Sequence, residues 1–290
     1  MRPLQLTIAS AADAVEPPDW HDGDPAVRAQ RNLDGSIWAY SYAEGSERWM
    51  HVPGIASFRF GPRAEESVVV PERATPPIPL SVIEDTYQRA VLPMALHAHG
   101  GEAVHASAVL TEDGVVAFCG RSETGKSTVA YGLHRRGFPV WADDTLVFDA
   151  SDEVVQAVPY PYRLRIRPEA AEYFELRELR RRDTSSWTAL EQAQAESAPL
   201  RCIFLLQREA ASTPVETVRL APAEALAGVM EHAYWFRLDD ERTRRMIGRY
   251  LVLATRVPVF RMRFWAALDQ LPEMLDRTES LVRDCEPATA

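Results

Sequence analysis

Gly120-Arg121-Ser122-Glu123-Thr124-Gly125-Lys126-Ser127 fits the pattern G-x-x-x-x-G-K-[ST]. Each part of that pattern meets a need of phosphate chemistry. The glycines allow backbone angles that other residues resist. The loop N–H groups can then turn inward as an anion nest, and a helix starting near Ser127 adds its positive end. Lys126 would neutralise terminal phosphate oxygens, and the Ser127 hydroxyl would meet Mg²⁺. Thr128 follows directly and belongs to the same binding set. Of the 32 Lys and Arg residues in the chain, Lys126 is the single lysine. Arginine serves everywhere else, so this position needs a compact point charge on a thin stem.

A second group of chemical residues is Asp143 and Asp144, which follow the run Phe138–Ala142. Paired carboxylates at the carboxyl end of a core strand stand where ligands bind in open α/β sheets. One can hold Mg²⁺ and the other can take a proton from an attacking hydroxyl; a turn residue capping the strand is the plainer alternative. His105, beside apolar residues, reads equally as a satisfied core histidine. Arg163, Arg165 and Arg167 alternate, so on a strand they share one face that binds phosphate or an acidic peptide, or is simply solvated. The run Arg177–Arg182 reads as a lid, a basic strip or a solvated helix end. His97 and His99 read as surface-turn residues.

These groups need elements to hold them. Val115–Cys119 is a short apolar strand before the loop, Thr128–Arg136 a helix stopped by Gly137, and Phe138–Ala142 a strand. That is the strand–helix–strand order of a sheet with crossover helices. Ala103–Leu110 reads as one strand ahead of it. Later come a buried strand at Leu200–Leu206, helices at Pro222–His232 and Asp240–Ala254, a strand at Val257–Phe264 and a closing helix. The N-terminal part differs. Residues 1–35 read as irregular, and Ile37–Tyr42, Arg48–Val52, Ala56–Phe60 and Ser67–Val70 as a small antiparallel sheet. Pro71–Pro79 reads as a linker, and Ser81 with Glu84 as a capping box opening a helix that Pro93 kinks.

Residues 102–148 resemble the catalytic domain of HPr kinase/phosphorylase and its relatives. His105, Cys119–Ser127, Arg136-Gly137 and Ala142-Asp143-Asp144 carry the resemblance, in order and at compatible spacing. It implies ATP and Mg²⁺ as cofactors. It implies Asp143 as the base that activates an acceptor hydroxyl, Asp144 as a metal ligand and His105 near the phosphates. Glu169 is a further candidate for the metal, beside Ser127. Two departures stand out. Glu123 occupies a loop position where the family commonly has glycine. The glycine-rich segment tied to phosphorolysis is missing, and Pro159–Glu169, rich in Arg, stands in its place. The layout looks most like the HPr-kinase-like proteins of ribosomal peptide pathways, lasso peptide kinases among them, whose acceptor would be a peptide serine.

The expectation is therefore an α/β protein: a P-loop, HPr-kinase-like catalytic domain over residues 81–290 with a smaller β-rich α+β N-terminal domain over residues 1–80. It would move the γ-phosphoryl group of ATP to a serine hydroxyl of a peptide or small protein. A small-metabolite kinase and a non-catalytic, nucleotide-gated peptide-binding module would use the same nucleotide residues. A net charge of −10 argues against nucleic-acid and anionic-membrane partners. No apolar run reaches spanning length, the N-terminus lacks a signal layout, and Cys119, Cys202 and Cys285 form no metal or disulfide pattern, so a cytoplasmic setting is expected. The resemblance also carries an expectation of a homo-oligomer.

Overall fold

The computed structural model describes residues 5–8, 16–20, 24, 26–31, 34–44, 47–60, 66–176, 180–182, 185–187, 196–209, 213–235, 240–265 and 268–284. Contacts divide the chain into two units, residues 1–101 with 234–243 and residues 102–233 with 244–290. The sequence reading set the division at residue 80. The contacts keep the helical stretch that follows with the first unit instead.

The first unit is a six-stranded sheet. Its strands are β1 (Gln5–Ile8), β2 (Val27–Arg31), β3 (Ile37–Glu44), β4 (Glu47–Val52), β5 (Ala56–Phe60) and β6 (Glu66–Pro71), in the order β1-β6-β5-β4-β3-β2. Four of the five pairings are antiparallel, and β1 runs parallel to β6. The strands β1 and β2 fall in the stretch read as irregular. They are short, and β2 (VRAQR) has no run of apolar residues to announce it.

A helical segment then packs on this sheet: α1 (Leu80–Thr86), a π turn (Tyr87–Val91) and α2 (Leu92–Ala98). Tyr87 anchors it, with its ring stacked 5.9 Å from that of Phe58 and its hydroxyl 2.7 Å from the Ser67 hydroxyl. The expected capping box does not form. The Pro79 carbonyl already accepts from the Val82 and Ile83 amides, so Pro79 is the N-cap and Ser81 lies inside the first turn. The π turn precedes Pro93, which has no N–H to give and whose ring crowds the carbonyl four residues back. His97 is buried in α2, not at a surface turn; its carbonyl and Nδ1 meet the buried Arg242 side chain at 2.8 and 3.0 Å.

The second unit contains β7 (Glu102–Val104), β8 (Ala106–Thr111), β9 (Gly114–Cys119), α3 (Lys126–Arg135), β10 (Val140–Ala142), β11 (Leu146–Asp149), β12 (Gln156–Val158), β13 (Arg165–Ile166), α4 (Pro168–Tyr173), β14 (Arg180–Arg182), β15 (Ser185–Trp187), β16 (Ala198–Glu209), β17 (Glu216–Arg219), α5 (Pro222–Met230), most of α6 (Asp240–Arg256), β18 (Val259–Trp265) and α7 (Leu271–Asp284). Its mixed nine-stranded sheet follows the order β10-β8-β9-β16-β12-β11-β7, with β18 beside β16 and β17 beside β18. Both β9 and β18 run parallel to β16. Between β9 and β10, α3 crosses over β8, to which each of those strands is antiparallel.

All six residues of β9 are buried, as befits a strand covered on both faces. One face, with Val115, Ala117 and Ile203, packs against Val229 of α5 and Tyr250 and Leu253 of α6. The other, with Phe118, Phe204 and Met262, packs against Leu133 of α3 and Met274 and Leu275 of α7. The run Ala103–Leu110, expected as one strand, breaks at His105. Before the break β7 pairs with β11, and after it β8 pairs with β9 and β10.

Candidate active site

The loop Gly120–Ser127 joins the carboxyl end of β9 to the amino end of α3. Apolar burial fixes the strand and leaves its last residue, Cys119, beneath the loop. There burial pushes the thiol up to about 12, with Lys126 acting weakly in the opposite sense. Gly120 is needed because a Cβ there would stand 2.5 Å from the Thr124 hydroxyl and 3.2 Å from the Leu206 carbonyl oxygen. Gly125 has φ 104° and forms the N-cap of α3, a backbone that favours glycine. Glu123 adopts φ 70°, also left-handed. A side chain there costs about 1–2 kcal/mol relative to glycine.

Lys126 is buried at the first position of α3. Its Nζ donates to the carbonyls of Gly120 at 2.9 Å and Arg121 at 3.0 Å. Those bonds close the loop around the ammonium and hold it at the cradle's floor. Burial lowers its pKa, while Asp144, Cys119 and Asp143 pull the other way. Thr124 is turned inward, its hydroxyl donating to the Arg121 carbonyl at 2.8 Å, so it braces the loop. Arg121, Ser122 and Glu123 are exposed along the rim.

Asp143 is buried where β10 ends. Its Oδ1 accepts from the Ser107 hydroxyl at 2.6 Å and the Ser127 hydroxyl at 2.7 Å, and its Oδ2 from the Arg165 amide at 2.9 Å. Burial, followed by the neighbouring Asp144, raises its pKa to about 6 against those three bonds. A carboxyl so placed changes charge near neutrality, as a proton acceptor in catalysis should. By donating its hydrogen to Asp143, Ser127 keeps its lone pairs for a cation.

Asp144 follows with φ 63°, inside a tight turn closed by the Thr145 amide on the Asp143 carbonyl at 2.8 Å. An i to i+2 turn with positive φ is rare and strained, and here it holds two adjacent carboxylates at one strand end. His105 buttresses that turn. Its Nδ1 lies 2.8 Å from the Asp144 carbonyl, which can only accept, so Nδ1 carries the hydrogen.

The structure thus brings together Lys126, Ser127, Asp143, Asp144 and His105. Glu169 does not join them: it is exposed in the first turn of α4. Among the described residues, no three His, Cys, Asp or Glu side chains converge as a metal cage. The oxygens that fit a hard divalent cation are those of Ser127 and the two aspartates. The three alternating arginines keep to the more exposed side while Leu164 and Ile166 between them are buried, although the paired strand is only Arg165–Ile166 and Arg167 is the extended N-cap of α4. This segment lies against the site. The Arg165 amide holds Asp143, the Tyr162 hydroxyl donates to the Val140 carbonyl at 2.9 Å, and the Arg167 guanidinium meets the Glu123 carboxylate at 2.5 Å. Of the basic run Arg177–Arg182, residues 180–182 form β14 and residues 177–179 lie outside the described residues.

Sequence reasoning missed two groups. Ser107 is completely buried on β8, and its spacing from His105 was the only hint of its bond to Asp143. His232, just past α5, accepts the His105 amide on its carbonyl at 2.7 Å. Its imidazole is pushed down to about 4, first by burial and then by the charges of His105, Lys126 and Arg121. No motif surrounds it.

No known family model matches this chain, and no curated protein matches its sequence. Among solved structures it is similar to the HPr(Ser) kinase/phosphatase from Coxiella burnetii, at 15% identity and a TM-score of 0.32, over 63% of this chain and 98% of that one. So distant a likeness decides nothing about the chemistry.

Proposed function

We propose that this chain is an ATP- and Mg²⁺-dependent phosphotransferase whose acceptor is a serine hydroxyl on a peptide or small protein. The observation that carries the reading is the union of a glycine-bounded loop, a buried Lys126 at its floor and a Ser127–Asp143 bond, at the carboxyl ends of β9 and β10. Ser127 and Asp144 would hold Mg²⁺, which when bound would offset the charge of the phosphates.

Lys126 and the loop amides stabilise the negative charge spread over the transferred group. Asp143 receives the proton of the acceptor hydroxyl as its oxygen bonds to the terminal phosphorus. The bond from that phosphorus to the bridging oxygen breaks, and the diphosphate leaves. The side chains of Ser107 and Ser127 and the Arg165 amide fix the direction of the Asp143 carboxyl, so its proton-accepting role needs little rearrangement.

The acceptor class rests on the resemblance of residues 102–148 to HPr kinase-type domains and on the arginines that border the loop. A precursor peptide of a ribosomal peptide pathway is the most specific form of this reading. The test is to incubate the chain with Mg-ATP and a panel holding an HPr-type protein, serine peptides encoded near its gene and free metabolites. Mass spectrometry then reads the gain of one phosphate. Transfer to a peptide, lost in Lys126→Ala and Asp143→Asn, supports the proposal. Transfer to a metabolite alone would replace the acceptor class. Tight ATP binding with no transfer would leave a nucleotide-gated binding module.

A further inference from the structure

The pair formed by Glu123 and Arg167 joins the phosphate loop to a segment far along the chain. Glu123 is a loop residue in a left-handed conformation that glycine would hold more easily. Its carboxylate nevertheless reaches Arg167 at 2.5 Å, and both side chains stay more than half exposed. The partner is not drifting free, because the segment before it is fixed at two points beside the loop. The Tyr162 hydroxyl is bonded to Val140 on β10, and the Arg165 amide to Asp143. Arg167 therefore stands at the rim of a cradle whose floor is Lys126, two residues past the fixed amide.

A carboxylate and a phosphate present the same paired oxygens to a guanidinium. An exposed ion pair is weak and readily exchanged. A phosphate bearing more charge than one carboxylate would compete well for the same fork.

Resting on the nucleotide reading above, we propose that Arg167 is a ligand of the terminal phosphate of the bound nucleoside triphosphate. Glu123 holds it beside the loop until that phosphate takes the carboxylate's place. This gives the arginine-rich segment a function within the site. It also gives a reason for a glutamate where the backbone favours glycine: it parks the arginine when no phosphate is there.

The test is calorimetric binding of MgADP and of the Mg²⁺ complex of an ATP analogue that cannot be cleaved between its last two phosphates. The proteins are the full chain and its Lys126→Ala, Arg167→Ala, Glu123→Gln and Glu123→Gln/Arg167→Ala variants. Arg167→Ala is expected to weaken the triphosphate analogue roughly tenfold and to change MgADP less than about twofold. Glu123→Gln is expected to tighten the analogue by roughly threefold, and that gain should vanish when Arg167 is absent. Simple repulsion by Glu123 predicts the reverse, a gain kept or enlarged without Arg167, and that result would overturn the proposal. So would binding that depends on Lys126 but not on Arg167, which would leave the nucleotide reading standing. If the folded chain binds neither nucleotide, both readings fall together.

Discussion

Two cations border the same loop and are held in opposite ways. Lys126 is buried and bonded to two backbone carbonyls, while Arg167 is mostly exposed and bonded to one carboxylate. The first contact closes the loop, since the ammonium donates to the Gly120 carbonyl and, beside the Thr124 hydroxyl, to that of Arg121. The second exchanges a surface partner, and the fold loses little if it opens. On the proposed reading the site divides its work: a fixed charge makes the cradle, and a movable one answers to the phosphate in it.

The largest effect is expected at Lys126. Lys126→Ala is expected to reduce ATP-dependent turnover by about a hundredfold or more, with the circular dichroism of the fold retained. Lys126→Arg should fail as well, because a planar fork does not fit where a compact ammonium bonds two carbonyls. Wild-type turnover in either variant would remove the loop from the chemistry.

Next comes Asp143. Asp143→Asn is expected to lower turnover by roughly a hundredfold while leaving nucleotide affinity within about threefold. The same residue gives a pH signature. Its pKa is raised from 3.8 to about 6, so the folded chain holds this proton more tightly than the unfolded one. That contribution to stability is fully present below 3.8 and is lost as pH rises through about 6. Thermal melts of wild type and Asp143→Asn should therefore move in the variant's favour between about pH 4 and about pH 7.5. A difference independent of pH would contradict the assigned burial.

A smaller effect separates the movable cation from the fixed one. Arg167→Ala should leave the stability of the chain within about 0.5 kcal/mol, as expected of an exposed pair, even where it weakens triphosphate binding. Denaturant midpoints would check this. A last effect, with no consequence for nucleotide affinity, lies outside the site. Tyr250→Phe removes a buried 2.7 Å bond to the Ala103 carbonyl and should destabilise the chain by about 1 kcal/mol without changing nucleotide affinity.

What the sequence told of this molecule follows from what its signals are made of. The loop was legible because its glycines, lysine and serine are contiguous and flanked by an apolar strand and a helix. The strands at Ile37–Glu44, Glu47–Val52, Ala56–Phe60 and Ala198–Glu209 announced themselves by β-rich runs between turn residues. The strand β2 did not, because half-covered strands of polar composition carry no such run. The helix start at Leu80 was masked by a Ser-x-x-Glu pattern two residues too late, with Pro79 and not Ser81 as the N-cap. Glu123–Arg167 and His105–His232 depend on chain segments meeting in space, which spacing along the chain does not encode. The alternation of Arg163, Arg165 and Arg167 holds in burial, but the paired strand stays two residues long because Pro168 starts a helix.

Nucleotide binding at the loop is tested by one titration, of MgATP into the folded wild-type chain and into Lys126→Ala, read by calorimetry. Saturable binding at a single site in the wild type, abolished in the variant while its circular dichroism shows it folded, is the predicted result. No binding by the folded wild type, or equal binding by both, would contradict it.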